Sequence, residues 1–205
     1  MVDPMAEAQA QPLSQSQFDV LHTLLRSGDA LTQRQIQKST GMSLGRVNAA
    51  VRECEAAGYI RERHLTEAGR TALEPYRVNN AVIMAAGLSQ RFAPISYERP
   101  KGMLRVRDEV LVERQIRQLH EAGVTDVTVV VGYKKEYFFY LAEQFGVKIV
   151  VNDDYVSRNN NGSLWLVRDI LANTFICSSD DYFTDNPFES HVTVQIGRAS
   201  CRERV

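Results

Sequence analysis

Two stretches of this chain carry residues suited to gripping a polyanion. The first runs Ala81-Val82-Ile83-Met84-Ala85-Ala86-Gly87-Leu88-Ser89-Gln90-Arg91-Phe92 and is closed downstream by Arg99-Pro100-Lys101. Small residues such as Gly87 and Ser89 let backbone N–H groups come close to an anion. Arg91 can bind phosphate oxygens in pairs, and Lys101 adds a second fixed positive charge. The local chemistry is that of a triphosphate cradle. The second stretch is Ser178-Ser179-Asp180-Asp181. Two polyanions brought together need a hard divalent cation between them, Mg²⁺ first among these, and carboxylate oxygens are its protein ligands. The plainer alternative for the Asp pair, taken alone, is a helix cap or a solvated turn.

These stretches lie about ninety residues apart, so a fold must bring them together. Residues 81–86 are apolar and uncharged, as expected of a strand buried on both faces. The pattern then predicts a helix over 111–121, a β-branched strand over 127–131 and an aromatic-rich helix over 135–145. A strand over 148–151, a helix from Ser163 to Leu171 and a strand over 174–177 follow. The aromatics Tyr137, Phe138, Phe139, Tyr140 and Trp165 are expected in the core. Such alternation predicts an α/β unit with a parallel sheet and right-handed crossovers. Ligands of such sheets bind beyond the C-terminal strand ends, where both the cradle and Asp180 would sit.

The order Ala85-Ala86-Gly87-Leu88-Ser89-Gln90-Arg91, with Pro100-Lys101 downstream, resembles the signature of the MobA-like nucleotidyltransferases, which activate sugars, phosphocholine and related phosphates. The resemblance covers about residues 78–190. It implies a Rossmann-like nucleotidyltransferase sheet, here partial. It makes Arg91 and Lys101 the candidate catalytic residues, and puts Ala85, Ala86, Gly87, Ser89 and Arg91 on the nucleotide and Asp180 on Mg²⁺. Ser89 stands where a second glycine is more frequent. Asn159-Asn160-Asn161-Gly162-Ser163-Leu164, together with Val131-Gly132-Tyr133, resembles phosphocholine cytidylyltransferases, which puts Asn160 and Ser163 on the base. An Asn-rich turn capped by Ser163 is the plainer alternative. The reaction implied is transfer of CMP from CTP to a phosphorylated acceptor such as phosphocholine. Sugar-1-phosphate nucleotidyltransfer would use the same residues.

The N-terminal third reads differently. Phe18, Leu21, Leu24 and Leu25 follow helical spacing behind Ser14, Thr32 opens a second helix, and Ser43 opens a third with Leu44, Val47, Val51 and Cys54 as its apolar stripe. A short hairpin near 58–65 and a closing helix over 66–73 complete a pattern resembling a winged helix-turn-helix domain over residues 14–77. Residues 31–77 hold eight basic against five acidic residues, a modest bias. Arg46, Asn48 and Arg52 lie off the stripe and could meet DNA. A solvated face on a protein-interaction or regulatory module fits equally, and so does a transcription regulator whose α/β half senses a nucleotide.

Composition sets the remaining bounds. A net charge of −1 argues for neither nucleic acid nor membrane as a global partner, and no apolar run suits a bilayer span. Three scattered cysteines support neither a disulfide framework nor a zinc site, so a cytoplasmic protein is expected. Residues 1–13 are expected to form a disordered leader. Residues 196–205 have no structural period, resemble a translated sequencing adapter and are expected to be a non-native tail. The chain is thus expected to be C-terminally truncated, without its acceptor-binding half, and poorly soluble or inactive in this form.

Overall fold

The computed structural model describes residues 12–88, 93–156 and 160–193, with the side chain of Asn160 also outside that set. The expected leader and tail therefore lie outside the described residues, apart from Pro12 and Leu13. The chain divides between Arg77 and Val78 into two compact units.

In the first unit, local chemistry fixes the helix ends. Helix α1 (Gln15–Ser27) begins with a reciprocal cap: Ser14 Oγ accepts from the Gln17 backbone, and Gln17 Oε1 accepts from the Ser14 backbone. Thr32 and Gln35 repeat the device at α2 (Gln33–Thr40), and Ser43 caps α3 (Leu44–Ala56). Gly28 and Gly41 end the first two helices at φ of 68° and 71°, which glycine adopts without a Cβ penalty. Strands β1 (Ile60–Arg61) and β2 (His64–Leu65) form an antiparallel hairpin, and α4 (Glu67–Leu73) closes the unit. The buried stripe of α3 is Val47, Ala50, Val51 and Cys54. Leu44, expected on it, is 38% exposed. At about 100° per residue it falls to one side of that stripe, and Ala50 takes its place.

In the second unit, β3 (Asn80–Ala85), β6 (Val127–Val131), β7 (Lys148–Val151) and β8 (Thr174–Ser178) form a parallel sheet in the order β7-β6-β3-β8. Between β3 and β6 come a short helix α5 (Ile95–Glu98), a 3₁₀ turn (Lys101–Met103), a hairpin of β4 (Arg105–Val106) and β5 (Glu109–Val110), and α6 (Leu111–Glu121). Helices α7 (Tyr140–Phe145) and α8 (Asn160–Leu166) follow β6 and β7. Alternate residues of β3 serve the two faces. Ala81, Ile83 and Ala85 join Val112, Ile116 and Leu119 of α6 in the main core. Val82 faces the other way, with Val130 and Val167, in a smaller cluster.

Three expectations need correction. The helix expected over 135–145 is a 3₁₀ turn (Lys135–Tyr137) and then α7. No Ser, Thr, Asp or Asn precedes it to cap a longer helix, and Lys134 takes a left-handed conformation at φ 53°. The helix expected from Ser163 to Leu171 instead starts at Asn160 and ends at Leu166, so Ser163 lies inside it and not at its cap. Of the aromatics expected in the core, only Phe138 is fully buried; Trp165 is 60% exposed, and Tyr137, Phe139 and Tyr140 are also exposed.

Cys54 has no exposed surface. Burial, then the charges of Glu53 and Glu55, push its thiol from 9.0 up to about 12. A raised folded-state value favours the neutral thiol, so this contribution to stability is complete below pH 9 and is lost as pH rises towards 12. Peptide mapping after alkylation at pH 8 should find Cys54 unmodified in the native protein and labelled in urea. Equal labelling rates in the two states would contradict this burial.

Candidate functional site

The sheet register brings the separated stretches together. Met84 pairs with Ser178 and Ala85 with Val131, so β3, β6 and β8 end side by side. The Ser179 N–H continues the ladder by donating to the Met84 carbonyl at 3.1 Å. Ala86 and Gly87 therefore leave the sheet beside Ser179 and Asp180. Ala85 and Ala86 are buried and Gly87 is exposed. A Cβ on Gly87 would meet nothing within 4 Å. The packing of the described residues thus places no demand for glycine there. Ser89 and Arg91 lie outside the described residues.

Lys101 arrives by a different route. Pro100 and the 3₁₀ turn carry it back to the rim, where Gly102 packs against Ser179: a Cβ on Gly102 would sit 2.9 Å from Ser179 Cβ and 3.0 Å from its Oγ. This close approach sets Lys101 Nζ 3.0 Å from Asp180 Oδ2, with the two side chains 24% and 32% exposed. The Ser178 hydroxyl donates to the other carboxylate oxygen of Asp180. Burial pushes the Asp180 carboxyl up, but the Ser178 hydroxyl and the Lys101 ammonium outweigh it and hold the group below the usual carboxylate range. Burial and the neighbouring Asp180 charge push Asp181 the other way.

A further residue holds this turn. Gln115 of α6 is 1% exposed, and its Nε2 donates to the carbonyls of Ser178 (2.7 Å) and Asp181 (3.0 Å), on either side of Asp180. Gln118, one turn on, reaches the Phe183 carbonyl at 3.3 Å, and Arg114 donates to the carbonyls of Phe183 and Thr184. The chain after β8 is thus bound to α6 largely through its backbone. Sequence reading missed Gln115. The available signal was two glutamines interspersed with Leu111, Ile116 and Leu119 on the apolar face of a helix, since buried amides need partners.

On the other flank, Gly132 follows β6 where a Cβ would lie 2.9 Å from the Ala86 carbonyl and 2.8 Å from Tyr155 Cβ. Lys134 Nζ donates to the carbonyls of Tyr97 and Glu98, and Tyr133 Oη to that of Ser96. These contacts fasten α5, which lies between the cradle and Lys101. Of the expected base-reading residues, Asn160 opens α8. Ser163 is buried, and its Oγ accepts from Asn152 Nδ2 at 2.9 Å. Its hydroxyl ties α8 to the end of β7.

Among the described residues, no group of three or more His, Cys, Asp or Glu side chains forms a metal cage. Mg²⁺ commonly takes only one or two carboxylates from a protein, completing its shell with substrate phosphates and water. Asp180, with Asp181 adjacent, fits that mode of binding.

In the first unit Arg46 and Arg52 are exposed on α3, and Arg46 donates to Ser16 Oγ at 2.9 Å. Asn48 is half-buried, with its Oδ1 enclosed.

A profile of the MobA-like NTP transferase domain matches residues 81–185, and one of the MarR family matches residues 11–71. Over 113 residues the chain is 42% identical to choline-phosphate cytidylyltransferase of Streptococcus pneumoniae, covering 55% of this chain and 49% of the relative. Over 109 residues it is 42% identical to 2-aminoethylphosphonate cytidylyltransferase of Lancefieldella rimae, covering 52% and 44%. The solved CTP:phosphocholine cytidylyltransferase of S. pneumoniae superposes with a TM-score of 0.55 at 42% identity, over 57% of this chain and 51% of that one. The chain thus spans about half the length of the curated relatives it matches. Among the described residues, no helix is long and apolar enough to cross a membrane.

Two substitutions test the construction of the rim. Gly102→Ala would force Ser179 and the turn apart, at about 1–3 kcal/mol; urea unfolding should register the loss, with Gly87→Ala, which meets no atom of the described residues, as the control with the smaller effect. Gln115→Leu leaves two carbonyls without their donor and should cost about 1–3 kcal/mol. Unchanged midpoints in both variants would contradict the contacts described.

Proposed function

This chain belongs to the MobA-like NTP transferase family, and on that footing we propose that its α/β unit transfers CMP from CTP to a phosphorylated small-molecule acceptor such as phosphocholine. The observation that carries this reading is the convergence of Gly87, Lys101 and Asp180 at the C-terminal rim of one parallel sheet. Two relatives at 42% identity are both cytidylyltransferases, which favours CTP. Their acceptors share a phosphorus-centred anion and a cationic nitrogen, which favours an acceptor of that class over a sugar phosphate.

In this reading an acceptor oxygen attacks the α-phosphorus, a new P–O bond forms, the α–β bridging bond breaks and pyrophosphate leaves with its electron pair. No covalent enzyme intermediate is required, so positioning and charge neutralisation carry the catalysis. Backbone groups at Ala85, Ala86, Gly87 and Ser89 hold the phosphates. Arg91 and Lys101 neutralise them, and Asn160 and Ser163 help place the base, Ser163 by anchoring α8. Asp180 would hold Mg²⁺, which when bound supplies charge stabilisation across the phosphates. Gln115 keeps the Asp180 turn in place.

The winged unit is proposed to contact DNA through α3 and the hairpin turn, where Arg46, Arg52, Arg61 and Arg63 are exposed. Binding through phosphates would weaken steeply with salt, by a log–log slope of about −0.9 per contact. A gel shift that detects no salt-sensitive complex would refute this part alone.

The decisive experiment is pyrophosphate release by this protein. CTP should be offered against the other triphosphates, and phosphocholine, aminoethylphosphonate and sugar phosphates in turn. The expected result is CTP dependence and a loss of about 10²–10³-fold in kcat on Asp180→Asn. Turnover with GTP and a hexose phosphate but not with CTP would replace this reading with sugar activation.

A further inference from the structure

The carboxylate proposed to hold the metal already has both oxygens engaged by its own chain. Lys101 donates to Oδ2 at 3.0 Å, and the Ser178 hydroxyl donates to Oδ1. The ammonium is not there by the chance reach of a long side chain. Its backbone is fixed by the 3₁₀ turn and by the packing of Gly102 on Ser179, where an added Cβ would lie only 2.9 Å from Ser179 Cβ. The carboxylate is fixed by Gln115, which holds the carbonyls of Ser178 and Asp181. Cation and anion are held together by two independent pieces of scaffold.

We propose that Lys101 is a built-in placeholder for the divalent cation at Asp180, so that the metal enters with the triphosphate and not ahead of it. This rests on the nucleotidyltransferase reading and deepens it by assigning an order of binding. A divalent ion approaching Asp180 alone meets a unit positive charge within hydrogen-bonding distance of its ligand. Among the described residues, Asp181 is adjacent, but no group of three or more His, Cys, Asp or Glu side chains stands by to offset that repulsion. A triphosphate changes both terms together. Its oxygens give Lys101 another partner and give the metal its remaining ligands. Metal and nucleotide then bind with positive coupling, and the coupling is reciprocal.

The test measures Mn²⁺ uptake from the free-ion EPR signal, without acceptor, on the protein and on Lys101→Met and Lys101→Gln, each checked for folding by circular dichroism and each CTP arm read against a protein-free blank of the same Mn²⁺ and CTP, since the triphosphate itself chelates the ion. The native protein should take up Mn²⁺ weakly alone and much more strongly with CTP. Either Lys101 variant should bind Mn²⁺ alone at least about tenfold more tightly than the native protein, because a charge at this range shifts an ionic equilibrium by one to three powers of ten. The gain from added CTP should shrink in the same variants, and Asp180→Asn should abolish uptake above the blank in every arm. If CTP promotes uptake but the Lys101 variants match the native protein without nucleotide, the placeholder is refuted while the enzyme reading stands. If no triphosphate promotes uptake by the native protein, the nucleotidyltransferase reading itself falls. Two variants are used so that the loss of one to misfolding leaves the comparison intact.

Discussion

An ammonium and a carboxylate held 3.0 Å apart at the end of a parallel sheet is not an arrangement that a chain needs in order to fold. Taking both charges part-way out of water costs free energy, which their attraction and the Ser178 hydroxyl must offset. Lys101 and Asp180 are drawn in from points 79 residues apart. Three features bring them together: the β3–β8 register, the Gly102–Ser179 contact and the amide of Gln115. Folding stability generated by the apolar layers beneath is used to hold charged groups above them. That is the usual sign of a site, where local cost is tolerated for chemistry.

The layers beneath explain why the rim can be this well defined. Ala81, Ile83, Val127 and Val129 face Val112, Ile116 and Leu119 across one dry interface, and a register slip would turn those residues to the opposite face. Helix α6 does two jobs. Its apolar positions lock the sheet, while Arg114, Gln115 and Gln118 bind backbone carbonyls of the chain leaving β8. Because these bonds go mainly to carbonyls, they fix the path of residues 178–185 with little dependence on the side chains there. Asp180 can then point to the rim without having to stabilise its own turn.

This division also shows what could be read from the sequence. Buried strands with β-branched runs, the alternating order and the small-residue loop were legible because each is written in neighbouring residues. The pairing of the loop with Asp180 was legible only through the rule that parallel strands end on one side. The β4–β5 hairpin was not, since its turn places Arg107 and Asp108 at φ of 50° and 65°, without the glycine that usually marks such a turn. Nor was the role of Gln115, whose partners are backbone atoms 63 and 66 residues away. Ser163 shows the opposite limit. Its type suggested a cap or a base contact, but burial commits its hydroxyl to Asn152, a long-range fact that local pattern does not contain.

The glycines around the site separate two kinds of constraint. Gly102 and Gly132 are required by the chain itself, because a Cβ at either would press within 3 Å of Ser179, Tyr155 or the Ala86 carbonyl. Gly87 is different: a Cβ there meets nothing within 4 Å, and no left-handed backbone demands glycine. If internal packing were the whole explanation of the signature, Gly87 would be as crowded as its neighbours. Gly87 is exposed, just beyond the end of the strand that carries Ala85. On the proposed reading an anion approaching backbone N–H groups would suit a glycine at that position, because it gains most from a missing side chain.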